Sequence, residues 1–328
     1  MEKSKNTEDL KDNNLIIEAL NKFGVQDKSV DFIRHNENLT LKINGEYLLR
    51  IHKSADTFQA INQYVDVNIK QLRYAEIAFL EHLRKNGMNV QMPVRSKDNT
   101  YVVEVSDGIY ATMLHWISGD IIKKEEVTTD LCFEIGQMVA KMHKAAIGFR
   151  DENILQYDSN LFMKLRTCFS HEKIASNIQD KHRLILDAAC EKISEKLKDT
   201  HEFITVHSDL SLSNMLVTQS GLVPIDFSLF GFAHPMMDIG GLFGCINGVE
   251  NRAAIAGGYR SLGYDIDFPM LDTHFALSVL LYITIHLNLC KEEAFNKNLD
   301  RWCKQIFLPY IQGERLISED FYMLNADK

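Results

Sequence analysis

Apolar positions change period along the chain, and each change marks an element. Leu15, Ile16, Ala19, Leu20 and Phe23 recur at helical spacing, so residues 8–23 should form a helix that Gly24 closes. From Ser29 the period becomes two: Val30-Asp31-Phe32-Ile33, then Leu39 to Ile43, then Tyr47 to Ile51, with Asn44-Gly45 as a hairpin turn. The loop Arg34-His35-Asn36-Glu37-Asn38 carries no glycine and is not a glycine-rich phosphate cradle, although asparagine can turn and present backbone N–H groups. Leu72, Phe79 and Leu83 mark one face of a helix between Ile69 and Lys85, stopped by Asn86-Gly87. A further hairpin runs from Tyr101 to Leu114 through Ser106-Asp107-Gly108.

After His115 the pattern is mostly helical. Leu131, Ile135, Met138, Val139 and Met142 form one stripe, residues 157–199 continue in helix, and Glu191 to Lys198 alternates in charge as a solvated face does. Short strand-like runs follow at Glu202 to Val206, Met215 to Thr218 and Leu222 to Ile225. Helices then open at Pro235 and cover about 249–262, 268–290 and 296–317. The reading is an α+β chain: an N-terminal lobe of antiparallel sheet plus helix (1–114), a connector (115–120), and a mostly helical C-terminal lobe (121–328).

Polar residues on apolar faces carry the next inferences. Glu76 falls on the stripe of its helix, and burying it unpaired would cost several kcal/mol, so a cation should wait across the interface. Arg50, alternating with Leu49 and Ile51, is the first candidate; Lys53 and Lys42 are rivals. Trp116 reads as a packing aromatic and His143 as a satisfied core histidine, because no second ligand stands at i+4. Asp238, in the first turn of its helix, reads as a helix-terminus interaction.

The densest chemistry lies between His207 and Asp226. Gln219-Ser220-Gly221 suits a three-residue hairpin with Gly221 left-handed, and a Thr218–Leu222 pairing would set Asn214 opposite Asp226 with Cβ atoms roughly 5 Å apart. Two oxygen donors held so suit magnesium, which draws the rest of its shell from water and phosphate. Asp209, outside that hairpin, is free to meet a substrate hydroxyl. The order His-x-Asp-Leu-x-x-x-Asn followed by a carboxylate at a hairpin end is that of a kinase catalytic loop, with the aspartate as base.

Composition narrows the partners. The 328 residues are 45% hydrophobic and 25% charged, ordinary for a globular chain with room for two packed units. A formal charge of -9 and a pI near 5.7 argue against a nucleic-acid backbone and toward a cationic small molecule. Cys132, Cys168, Cys190, Cys245, Cys290 and Cys303 are scattered without metal or redox spacing and read as reduced thiols of a cytoplasmic protein. Met1 to Asn14 holds no apolar core of a secretory signal, and Phe275 to Leu289, with His286 and Asn288 inside it, reads as a buried helix rather than a membrane span.

With these residues placed, the chain resembles the aminoglycoside phosphotransferase and choline kinase superfamily over nearly its whole length. The resemblance rests on His207-x-Asp209-Leu210-x-x-x-Asn214, Pro224-Ile225-Asp226-Phe227 and Pro235-Met236-Met237-Asp238. Tyr47 to Ile51, Glu76 in Ala75 to Leu80, and Ile117-Ser118-Gly119-Asp120 look like that family's phosphate-binding strand, lobe-bridging glutamate and post-hinge turn. It implies a two-lobed protein-kinase-like fold, Asp209 as catalytic base, Asn214 and Asp226 on magnesium, and Arg50 with Glu76 on the phosphates. The backbone at His115 and Ile117 would hold the base of ATP or GTP. Ser208 and Ser211 stand where protein kinases carry Arg and, in the serine/threonine class, Lys, and Phe227-Ser228 lacks the glycine of Asp-Phe-Gly. Arg50 takes a position that is Lys in many aminoglycoside enzymes and Arg in choline-kinase-like ones. The expected activity is γ-phosphoryl transfer to a hydroxyl of a small cationic molecule; a protein serine/threonine kinase and a non-catalytic nucleotide-binding regulator remain as alternatives. For substrate contacts, Asp151, Glu152, Asp158, Tyr157 and Tyr264 are unranked candidates, each expected at the solvated surface.

Overall fold

The period-two segments pair as their alternation demands. In the computed structural model, which describes residues 2–26, 28–55, 67–170, 178–198 and 200–317, β1 (Val30–His35), β2 (Leu39–Ile43), β3 (Tyr47–Ile51), β4 (Val102–Ser106) and β5 (Ile109–His115) form one antiparallel sheet in the order β1-β2-β3-β5-β4. Asn44 and Gly45 both take positive φ, 56° and 72°, as the tight turn between β2 and β3 requires. Leu39, Leu41, Ile43, Leu49 and Ile51 face one core with Leu20 and Phe23 of α1 (Glu2–Phe23), a helix longer than its apolar pattern. The opposite face presents Thr40 and Arg50, paired across the strands.

Helix α2 (Ile69–Lys85) begins and ends where its periodicity and Asn86-Gly87 place it, with Asn68 capping Gln71 N at 3.2 Å. Phe79 carries α2 onto the second lobe, stacking on Phe230 and meeting Phe227 edge-on, with ring centroids 5.3 and 5.8 Å apart. That lobe is helical: α3 (Thr129–Ala146), α4 (Ser159–Ser170), α5 (Asp180–Lys198), α6 (Met236–Cys245), α7 (Val249–Arg260), α8 (Phe268–Ile285), α9 (Glu293–Trp302) and α10 (Leu308–Gln312). Residues 171–177 of the expected helical run lie outside the described residues, as does the side chain of Cys168; the other five cysteines are free thiols. Helices α3 and α7 cross so closely that a Cβ on Gly136 would lie 2.0 Å from the Ile255 carbonyl oxygen, which only glycine tolerates. Helix α8 is apolar and long enough to cross a membrane by length and composition, and 61% of it is buried within the fold.

Two small sheets frame the chemistry. Here β6 (Asp120–Ile121) joins β9 (Met215–Thr218) and β10 (Gly221–Pro224), while β8 (Ile204–Val206) pairs with β11 (Gly231–Ala233), which also pairs with β7 (Leu155–Gln156). Gly221 does take positive φ, but Thr218 pairs with Gly221 rather than Leu222. The expected register is therefore off by one: Asn214 faces Ile225, whose N–H donates to the Asn214 carbonyl at 2.9 Å, and Asp226 lies just beyond the ladder with φ of 64°. A one-residue slip turns the next side chain to the other face, so the turn at Asp226 does what the expected pairing was invoked to do.

Candidate active site

Asn214 and Asp209 are tied together directly. The Asn214 amide donates to the main-chain oxygen and to Oδ2 of Asp209, both at 2.8 Å, while its own Oδ1 is buried without a hydrogen-bond partner. A buried, unpartnered carbonyl oxygen calls for a ligand, because leaving it unpaired costs about 1–3 kcal/mol. Burial pushes the Asp209 carboxyl up to about 7, with the Asp226 and Glu37 carboxylates adding to it. One side of Asp209 opens onto solvent, so water screens part of that effect.

Asp226 is the anion at the centre of the cluster. Arg34 reaches its Oδ2, Arg50 Nη1 lies 3.4 Å from Oδ1, and the Ser228 hydroxyl donates to Oδ1 at 2.8 Å. Burial acts to raise its carboxyl, but Arg34 and then Arg50 outweigh it and hold Asp226 below its ordinary value. Arg50, 3% exposed, also pairs with Glu76 Oε1, the partner its alternation and the stripe of α2 pointed to. The rival cations are engaged elsewhere: Lys53 with Asp12 at 2.7 Å and Lys42 over the half-buried Trp116 ring at 4.3 Å.

Three residues of this cluster escaped the sequence reading. Arg73, one turn before Glu76 and equally buried, donates to Glu76 Oε2 at 2.9 Å and to the Ser228 carbonyl at 3.2 Å, and lies 3.4 Å from Glu37 Oε1. Glu37 Oε2 lies 3.0 Å from the same Ser228 hydroxyl, whose single proton it shares with Asp226, and burial, only partly countered by Arg73, raises its carboxyl. Arg34 completes the set from β1. The i, i+3 spacing of Arg73 and Glu76 was the available signal for the first; the loop that carries Glu37 offered none.

The segment that carries Asp209 is anchored by Asp238. Asp238 accepts from the main-chain N–H groups of His207 at 3.2 Å and Ser208 at 2.7 Å, and meets His143 Nε2 at 2.9 Å. Asp238 does lie in the first turn of α6, and beyond that position its fully buried carboxylate holds the strained Ser208, φ 68°. His143 is a satisfied core residue, bonded also to the Tyr259 hydroxyl at 2.9 Å. His207 Nε2 meets the Ile225 carbonyl at 2.9 Å, which ties the loop to the end of β10.

At the connector, the N–H groups of His115 and Trp116 donate to Met92 and Glu46 carbonyls, both at 2.7 Å. Among the described residues no carbonyl accepts from Ile117 N–H, and the His115 carbonyl receives only the Gln91 amide at 3.4 Å. Of the expected surface candidates, Tyr157 is instead buried, its hydroxyl donating to the Leu229 carbonyl at 2.7 Å, and Tyr264 packs on Tyr259. Asp151 and Asp158 accept from nearby main-chain N–H groups.

Among the described residues no group of three or more His, Cys, Asp or Glu could hold a metal. The donor set that does fit one is the amide oxygen of Asn214 with the carboxylate of Asp226: two hard oxygens, as suits a cation that completes its shell with phosphate and water.

The fold recurs in solved structures of low sequence identity. Amicoumacin kinase hAmiN, solved with AMP-PNP, Ca2+ and Ami, superposes with a TM-score of 0.71 at 18% identity, covering 94% of this chain and 96% of that one. A microcompartment-associated aminopropanol kinase gives 0.67 at 19% identity, covering 92% and 98%. The GDP and kanamycin complex of an APH(2") enzyme gives 0.66 at 14% identity, covering 88% and 97%. No curated protein sequence matches significantly. A family model does match residues 32–266, which span β1 to the approach to α8 and include every residue of the cluster described above, and on that match the chain belongs to the APH family, the phosphotransferase enzyme family.

Proposed function

We propose that the protein is a kinase that transfers the γ-phosphoryl group of ATP or GTP to a hydroxyl of a small, amine-bearing molecule. The observation that carries this reading is the Asn214–Asp209 pair beside Asp226: one carboxylate oriented by an amide, one amide oxygen left unpartnered, and a second carboxylate held by arginines.

In this reading the acceptor oxygen attacks the γ-phosphorus, the bond from that phosphorus to the β,γ-bridging oxygen breaks, and the nucleoside diphosphate leaves. Asp209 orients the acceptor hydroxyl and takes its proton; its raised carboxyl makes it a competent base near neutral pH. Asn214 Oδ1 and Asp226 would hold magnesium, which supplies charge neutralisation on the phosphates. Arg50, fixed by Glu76, sets its charge toward the same phosphates, and Glu37 with Arg73 keeps the β1–β2 loop against Ser228. Ile117 N–H and the His115 carbonyl are the donor and acceptor for the nucleotide base.

The acceptor class rests on the net charge of -9 and on the relatives in fold, one an aminopropanol kinase and one in complex with kanamycin. Nucleoside diphosphate release should be measured with ATP and GTP against aminoglycosides, choline, homoserine and short amino alcohols. The reading expects one acceptor to stimulate release and Asp209→Ala to lower it by at least ~100-fold with nucleotide binding nearly intact. Undiminished turnover in that variant, or labelling of polypeptides in place of small alcohols, would overturn it.

A further inference from the structure

Strand β1 contains a bulge beside which Arg34 reaches Asp226. Val30 and Phe32 pair with Ile43 and Leu41, but after Ile33 the register shifts, so that Arg34 pairs with Thr40 and His35 with Leu39. Without the extra residue, Arg34 would face Leu39, on the side of the sheet that packs against α1. With it, Arg34 lies opposite Thr40, which lies opposite Arg50, which lies opposite Thr112. Bulges re-aim side chains at sheet edges, and this one brings a second arginine onto the face of the sheet that carries Arg50.

The two arginines differ in how they are held. Arg50 is 3% exposed and pinned between Glu76 and Asp226, whereas the Arg34 side chain is 39% exposed and, among the described residues, its only ion pair is with Asp226 Oδ2. Asp226 would keep Arg50 and Ser228 if Arg34 left it. The neighbouring loop is tethered through Glu37 to Ser228 and Arg73, so Arg34 would stay close to Asp226 after letting go.

Resting on the kinase reading, we propose that Arg34 is a further residue of the phosphoryl-transfer site: it yields its place on Asp226 to the divalent cation and moves its guanidinium onto the terminal phosphoryl group of the nucleoside triphosphate. Arg34 forms and breaks no covalent bond and exchanges no proton; it carries one positive charge from a carboxylate to the phosphoryl oxygens. A guanidinium suits that task because its planar donors match two oxygens of one phosphate.

Calorimetric titration of the full-length protein with magnesium and either AMP-PNP or ADP tests the assignment in wild type, Arg34→Ala and Arg34→Lys. Loss of the guanidinium should weaken AMP-PNP by about tenfold or more and ADP by less than about threefold, with Lys recovering part of the loss. The magnesium concentration that half-saturates ADP binding should fall in Arg34→Ala, because no guanidinium then competes for Asp226. No weakening of AMP-PNP, equal weakening of both nucleotides, or an unchanged magnesium requirement would overturn this inference alone. A wild-type protein that binds neither nucleotide would overturn the kinase reading together with it.

Discussion

Asn214 grips Asp209 twice, at its main-chain oxygen and at Oδ2, with both contacts at 2.8 Å. The amide thereby commits its donors to Asp209 and keeps its acceptor for something else. In a kinase site these are separable duties, orientation of the base and ligation of the metal, carried by two ends of one side chain.

Replacing Asn214 with Ala removes both duties, and phosphoryl transfer should fall by at least ~100-fold. Asn214→Asp keeps an oxygen for the metal but loses the donor and sets a second carboxylate against Asp209. It should restore much of the magnesium affinity without restoring the rate. Magnesium titrations of nucleotide binding alongside steady-state rates check the split; equal recovery of both in Asn214→Asp would refute separate duties.

The Asp209 carboxyl, pushed up to about 7 by burial and by Asp226 and Glu37, carries a stability consequence that solvent on its exposed side reduces. The unfolded chain ionises this group at about pH 4, the folded one at about 7, so between those values the unfolded state binds fewer protons. Stability therefore declines as pH rises through that window and levels off above it. Asp209→Asn should be inactive yet melt higher than wild type at pH 8, with the gap narrowing toward pH 5. Thermal melts across pH check this, and a gap independent of pH would count against the raised carboxyl.

The sequence carried the motif residues because their spacing within short segments reflects local geometry. Helix α2 was readable from end to end, and Glu76 announced a partner because a carboxylate on an apolar stripe has few stable alternatives. The hairpin at Gly221 was harder: positive φ at glycine is compatible with either pairing of its neighbours, and only the folded register decided that Asn214 faces Ile225. Arg34 was hidden for a related reason, since a bulge leaves no mark in a strand pattern that merely alternates. Glu37 and Arg73 meet across a loop and a helix, and no local period encodes that encounter. Asp238 looked like a helix-end residue because its three partners come from β8's exit and α3.

Glu76 stands between Arg50 and Arg73, each 3% exposed. Truncating it leaves two buried guanidinium groups short of a counter-charge, in a place where water cannot replace it. Glu76→Ala should cost about 3–5 kcal/mol in urea unfolding, and Glu76→Gln, which keeps a hydrogen-bond acceptor, less. A loss under about 1 kcal/mol in Glu76→Ala would mean that Asp226 and Glu37 already balance both arginines.

Asp238 acts through the loop it holds. Its carboxylate satisfies two main-chain N–H groups and one imidazole, and it keeps Ser208 at a φ of 68° that a serine does not choose freely. Each of those donors left unpaired costs about 1–3 kcal/mol, so Asp238→Ala should lose at least about 2 kcal/mol of stability. Because Asp209 follows Ser208 directly, the same change should lower kcat far more than it raises the KM for nucleotide. Asp238→Asn retains one acceptor oxygen and presents an amide N–H₂ where a donor already points, so it should recover only part of either property. Nucleotide KM, kcat and urea midpoints measured on the two variants decide the matter: a kcat that follows stability alone, with no loss in protein verified as folded at the assay temperature, would reduce Asp238 to a core residue.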